Sequence, residues 1–327
     1  MRTPRVTMET IARVAGVSVP TVSRVLNGRD GVSPATRERV EELLHDHGYR
    51  ARPARSAPVA LIDVVFPEFE CAWETEQIRG IEAAASAAGV GIVVSSLRGG
   101  APGTEQLLRR LRLGRTDGVI LAAGSSTDAV RSALRSLNVP VVALDPAARV
   151  ADDVPTVDAA NFAGAHRATR HLLELGHRRI AMIAGAAELR CSQARLDGYR
   201  AALGSGGLVE RGNFDHASGL AAGLRLLARD DRPTAIFASN DNMALGVYEA
   251  ARQLGVAVPA RLSVVGFDDV PNARWASPPL TTVRQPLRDM GHRAAGTLLA
   301  LVRGEAVDTP HVEMTTDLIV RESTAPR

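Results

Sequence analysis

The sequence predicts a small all-α head followed by an α/β body of two doubly wound parallel sheets. Three observations lead there. The 327 residues exceed what one typical hydrophobic core holds, three short helical patterns crowd into the first fifty positions, and from residue 59 onward short apolar runs alternate with helical stretches. Hydrophobic residues form 45% of the chain and charged residues 23%, the balance of a globular protein.

The head is read in order. Residues 8–15 place Ile11, Val14 and Ala15 on one face, with Thr7 as N-cap and Gly16 as the stop. Ser18 caps a second helix at 19–26, striped by Val22, Val25 and Leu26 and ended by Asn27-Gly28. Pro20 falls in its first turn, where a missing N–H costs nothing. Ser33-Pro34 opens a third helix that turns Val40, Leu43 and Leu44 inward and closes at His47-Gly48. Three such stripes bury one small shared core.

Two helices joined by a tight Gly-containing turn form a helix-turn-helix, whose second helix enters the major groove of duplex DNA. A three-helix domain that binds protein has the same periodicity. The outward residues of the second helix are Val19, Pro20, Thr21, Ser23 and Arg24. Arg24 suits bidentate contact to guanine, Val19 and Pro20 suit a thymine methyl or the groove wall, and Thr7, Thr10, Thr21, Ser23 and Asn27 are short donors for phosphate oxygens. Charge points the same way: residues 1–58 hold ten Arg against six acidic residues, and the remainder holds 29 Arg against 30. Every one of the 39 basic residues is Arg, which with the Ala-rich helices is read as a GC-rich coding sequence.

The string VTMETIARVAGVSVPTVSRVLNGRDGVSPATRERVEELLHDHGY resembles the DNA-binding head of the lactose-repressor (LacI/GalR) family of bacterial transcriptional regulators. That resemblance puts Val19, Pro20 and Arg24 at base-reading positions. The family's next segment forms a hinge helix on DNA and drives a Leu from each subunit into the minor groove. Here residues 50–58, RARPARSAP, contain no Leu and are several residues shorter. Ala54-Arg55 match the family's Ala-Arg element, so Arg55 joins the DNA-contact set; a plain basic linker is the other reading, and kinking of the DNA stays open.

In the body, strands are predicted at 60–66, 92–95, 119–122, 141–144, 180–184, 235–238 and 262–267, with helices at 74–88, 162–175, 217–228 and 242–254. Such alternation means βαβ units and parallel sheets buried on both faces. The Pro-, Ala- and Asp-rich stretch 145–156 reads as a crossing between two lobes. Two doubly wound lobes hold a ligand in the crevice at the carboxyl ends of their strands. Asp145, Asn240-Asp241 and Asp268 follow strands there, and Arg195 begins a helix after one.

TRHLLELGHRRIAMIAG, PTAIFASNDNMALGVYEAARQLGVAVP, LSVVGFDD and SPPLTTVRQP extend the resemblance to the family's effector-binding core, which is similar to periplasmic sugar-binding proteins. By that similarity lobe 1 spans about 59–155 and 286–308, and lobe 2 about 156–285 and 309–327. Asp145, Arg195, Asn240, Asp268, Phe214 and Gln285 then match effector contacts, with Phe214 at a stacking position. Carboxylates and a guanidinium bind vicinal hydroxyls while an aromatic face covers the apolar side of a sugar ring. Trp73 reads equally as a second platform or as core; Asp241 and Asp269 read as braces of their loops.

Cys71 and Cys191, two distant thiols, suggest neither a disulfide framework nor a zinc site and read as small buried or semi-buried side chains. No phosphate loop, nucleophile elbow or zincin motif is present, so no catalytic residue, cofactor or metal is expected. No secretory signal or membrane span is read, which places the protein in the cytoplasm. The resemblance implies a homodimer, with a tetramer open, that binds double-stranded operator DNA, acts as a repressor and responds to a mono- or oligosaccharide or a purine. The competing reading is a cytoplasmic sugar or purine sensor that acts through protein partners.

Overall fold

The computed structural model describes residues 8–26, 31–46, 59–69, 71–97, 101–123, 128–148, 150–151, 153–204 and 207–327. The chain divides into two compact units, Met1–Val59 and Ala60–Arg327.

In the head, α1 (Met8–Ala15), α2 (Val19–Leu26) and α3 (Pro34–Asp46) bury Ile11, Ala12, Ala15, Val22, Val25, Val40 and Leu44 together. Gly16 stops α1 in the left-handed region (φ +64°), which lets Val17 N–H reach back to the Ala12 carbonyl at 3.0 Å. Ser18 Oγ accepts from Thr21 N–H at 3.3 Å, and Ser33 Oγ likewise from Thr36 N–H, so both helices carry the side-chain caps their sequences call for. Val14 departs from the expected stripe. It is 53% exposed, and Ala12 is buried instead. At 100° per residue, positions 11, 12 and 15 share one arc, and position 14 lies more than a quarter-turn from its middle.

In the body the first sheet contains β1 (Leu61–Phe66), β2 (Gly91–Ser96), β3 (Gly118–Ala122), β4 (Val141–Leu144) and β5 (Thr156–Ala159). Its helices are α4 (Ala72–Ala87), α5 (Ala101–Arg112) and α6 (Asp128–Ser136). The chain then crosses to α7 (Asn161–Glu174), β6 (Ile180–Ala184), α8 (Arg190–Leu203), β7 (Leu208–Arg211), α9 (His216–Leu227), β8 (Ala235–Ala238), α10 (Asp241–Gln253), β9 (Ser263–Asp268), α11 (Pro271–Trp275) and β10 (Thr281–Arg284). Next, α12 (Leu287–Arg303) and β11 (His311–Met314) return to the first sheet, and β12 (Asp317–Ile319) ends in the second. The strand orders are β11-β5-β4-β3-β1-β2 and β12-β10-β9-β8-β6-β7. Among the described pairs only β10–β12 is antiparallel.

The lobe limits differ from those expected at 155/156 and 308/309. Thr156 pairs with Ala143 and His311 pairs with Thr156, both in the first sheet. The link between β4 and β5 therefore joins two strands of the first sheet, and the chain crosses near residues 160, 285 and 315. A Pro- and Asp-rich run signals a loop but not its destination, and the Thr-Val-Asp-Ala of β5 is too short and mixed to read as a strand.

Apolar packing sets each lobe. Ile62, Val64 and Phe66 of β1 face α4 and α12, while Val65 faces α5 and α6. Helices α4 and α12 approach so closely that a Cβ on Gly80 would lie 1.9 Å from the Arg288 carbonyl oxygen. The second lobe is sandwiched between α9–α10 and α7–α8. Its C-terminal tail is tied down by His177, whose Nε2 lies 3.2 Å from the Ala325 carbonyl oxygen and 2.9 Å from Ser263 Oγ.

Candidate functional site

Parallel strands deliver their carboxyl ends to one edge, and in both lobes that edge carries the polar residues. The backbone records it: of the seven described non-glycine residues with positive φ, Ala123, Asp145, Asp268 and Asp269 lie at or just after a strand's carboxyl end, and Phe214 lies three residues after β7. Such conformations cost about 1–3 kcal/mol each and gather where a site demands a particular presentation.

Arg195 is the hub. It projects from α8, is 3% exposed, donates from Nε to Asn161 Oδ1 at 2.8 Å, and bonds the Ser239 carbonyl through a terminal nitrogen. The same nitrogen lies 3.7 Å from Asp268 Oδ1, and the guanidinium carbon sits 3.8 Å from the Phe267 ring centre and 5.8 Å from that of Phe214. A buried guanidinium needs this much hydrogen bonding to offset desolvation.

Asp268 ends β9 with φ +115° and is 5% exposed. Gln285, at the second crossing, donates from Nε2 to Asp268 Oδ1 at 2.6 Å, and its buried Oε1 has no partner among the described residues. Burial pushes the Asp268 carboxyl up to about 7 against the pull of Arg195 and Gln285, with Asp145 and Glu74 pushing the same way. Asp145, across the crevice on the first lobe, is buried with φ +46°. Burial raises it too, against Arg195 and Arg190. Two carboxylates thus share the field of one buried guanidinium.

Phe214 is half-buried with φ +63°, its ring over Gly185, where a Cβ would fall 2.0 Å from the ring. Asn240 holds that arrangement: Oδ1 caps α10 by accepting from Met243 N–H at 2.9 Å, and Nδ2 donates to the Phe214 carbonyl at 2.8 Å. Its amide is thus engaged in bracing the Phe214 loop. Trp73 is half-buried against the first-lobe core, edge-on to Phe66 at 6.4 Å. Asp241 accepts from Val270 N–H and Thr282 Oγ1, and Asp269 from Arg284 Nε at 2.7 Å and from Arg321, so both brace loops.

Sequence reasoning missed Asn161, Asp158 and Arg190. Asn161 opens α7 at the first crossing and orients Arg195. Asp158 is pushed up to about 6 by burial and by Asp145, with Arg190 3.9 Å away. Reading β5 as a strand would have placed Asp158 in it and Asn161 just after its carboxyl end; Arg190 opens α8 instead. Cys191 and Cys71 border the same crevice, and burial pushes both thiols up to about 12, leaving them protonated. Among the described residues no His, Cys, Asp and Glu cluster is placed to hold a metal, and no helix is long and apolar enough to cross a membrane.

On α2 of the head, Pro20 and Arg24 are exposed, Val19 and Thr21 are half-buried, and Val19 leans on the head core. Thr21 Oγ1 lies 2.8 Å from Ser18 Oγ. Thr7, Asn27, Arg55 and the side chain of Ser23 lie outside the described residues.

Comparison with known proteins agrees with both regions. The model of bacterial regulatory proteins of the lacI family matches residues 7–51, and that of the periplasmic binding protein-like domain matches residues 169–324. Catabolite control protein A of Priestia megaterium is 34% identical over 330 residues, 98% of this chain and 99% of the relative. The structure of the transcriptional regulator CelR–cellobiose complex superposes with a TM-score of 0.76 at 36% identity, covering 98% of this chain and 100% of that one. The lac repressor dimer bound to operator and the anti-inducer ONPF gives 0.72 at 30% identity with the same coverage. The chain belongs to the lacI family of bacterial regulatory proteins.

Proposed function

We propose that the protein is a transcriptional repressor that works as a homodimer in the cytoplasm, reads a near-palindromic operator through α2, and adjusts its operator affinity to a sugar held between its lobes. The observation that carries the ligand reading is the buried Arg195 hub, flanked by Asp268, Asp145 and the Phe214 ring. Fork-shaped and carboxylate groups beside an aromatic face match vicinal hydroxyls and an apolar ring face. The buried Oγ atoms of Ser192 and Ser239 and Oε1 of Gln285, unpaired among the described residues, support it further. On the head, exposed Arg24 on a capped helix supports major-groove reading.

Ligand control follows from unequal binding to open and closed lobes, a coupling of about 1–3 kcal/mol in typical allosteric proteins. The test is a thermal-shift screen of the full chain against mono- and disaccharides and purines, since a ligand that binds only the folded state raises the melting temperature. Stabilisation by a saccharide and by no purine supports the reading; stabilisation by a purine alone replaces the ligand class, and no response to any saccharide overturns it.

A further inference from the structure

We propose that the first lobe carries a second, sequence-independent DNA contact: an arginine band at the edge of the first sheet where the head's linker joins the body. The inference rests on the DNA-binding reading above. Parallel strands start at one edge, and Ala60, just before β1, is fixed there. Its N–H donates to Asp117 Oδ2 at 2.8 Å, its carbonyl accepts from Gly91 N–H at 2.8 Å, and Asp117 N–H in turn reaches the Leu61 carbonyl. The chain from Asp46 to Val59 spans at most about 45 Å when fully extended, so the head is tethered at this edge of the body.

Two of the first-lobe helices that run back to this edge, α5 and α6, carry arginine in their last turn, whereas α4 ends without a basic residue. Arg112 closes α5, Arg115 lies in the turn that leads through Asp117 into β3, and Arg135 falls in the last turn of α6, before β4. Because β1, β3 and β4 are neighbours, these turns are spaced by one strand each, about 5 Å. All three side chains are exposed and have no hydrogen-bond or ion-pair partner among the described residues. Arg110, two residues earlier and on the opposite face of α5, differs: it is turned inward onto buried Asp63 and onto Ser95 Oγ at 2.8 Å. Among the described residues of this edge, exposed Asp153, Glu305 and Asp308 lie toward β5 and β11, Glu305 is paired with Arg303, and half-buried Asp117 accepts from Ala60 N–H. Positive charge is thus concentrated beside the linker, where a phosphate backbone is the polyanion in reach.

Last-turn arginines also offset the helix dipole, so stability is measured beside binding. A duplex is first selected from a random-sequence library by the full-length wild-type chain. Its affinity and that of an unselected duplex are then followed against salt for wild type and for the triple variant Arg112→Gln, Arg115→Gln, Arg135→Gln. Three lost phosphate contacts should lower the magnitude of the salt slope by about 2–3 on both duplexes, leaving the preference between them intact. An unchanged slope in a variant that melts like wild type overturns the proposal and leaves the band to a protein partner or to helix capping. If the variant melts lower, single Gln variants with wild-type melting decide by the same slope, with about 1 expected for each. If wild type selects no duplex at all, the DNA-binding reading itself fails, which is a different result.

Discussion

The two walls of the ligand crevice are built on different principles. On the second lobe Arg195, Asn240, Asp241, Asp268 and Gln285 are all at most 5% exposed and locked to one another or to backbone. On the first lobe the polar groups are Asp145 and the less buried Asp158, and the aromatic residues Trp73 and Phe69 pack on Phe66. A wall ordered during folding presents its donors without further loss of side-chain freedom, which is what makes a preorganised site effective. Under the proposed function the second lobe anchors the ligand and the first lobe covers it.

Removing the hub breaks the comparison most severely. Arg195→Ala leaves Asp268 buried without its guanidinium and should cost about 3–5 kcal/mol of stability, read by denaturant unfolding. Ligand affinity should fall more than about 100-fold by calorimetry, about 3 kcal/mol. Near-normal affinity would move the anchor to the first lobe. Gly185→Ala is the subtler attack on the same wall. The new Cβ displaces the Phe214 ring, and affinity should drop about tenfold, about 1.4 kcal/mol.

The raised Asp268 carboxyl sharpens the comparison through pH. Hydroxyl donors favour the ionised form, so binding should release a proton, and affinity should weaken about fivefold between pH 7.5 and 6. Calorimetry in buffers of different ionisation enthalpy reads that proton directly; no release would detach Asp268 from the ligand. The stability sign is the reverse. The folded carboxyl sits above its unfolded value of 3.8, so the native state holds the proton more tightly, and this group's contribution to stability falls as pH rises from about 4 to about 7. The smallest effect belongs to the first lobe: Trp73→Phe should change affinity less than about threefold, and a larger loss would make Trp73 a platform.

Much of this was readable in the residues. Fully buried parallel strands are continuous apolar runs, which is why 141–144, 180–184 and 235–238 emerge with the observed bounds of β4, β6 and β8. The head's helices announce themselves through Ser18, Ser33 and Gly16. Strands β5, β7, β10, β11 and β12 stayed hidden because each has only three or four residues and mixes polar with apolar positions. With β5 hidden, Asn161 and Asp158 carried no signal. That Asn240 also holds the Phe214 carbonyl depends on a contact between segments 26 residues apart, which no local pattern encodes.

The central claim is that the Arg195 crevice governs DNA affinity. It is tested most directly by fluorescence anisotropy of full-length wild type and Arg195→Ala on the selected duplex, each with and without the saccharide found by thermal shift. The saccharide should shift wild-type affinity by about 5- to 150-fold and leave the variant unmoved, with both chains equal in its absence. A variant that responds as wild type does, or a wild type that binds the saccharide with no change in DNA affinity, would contradict it.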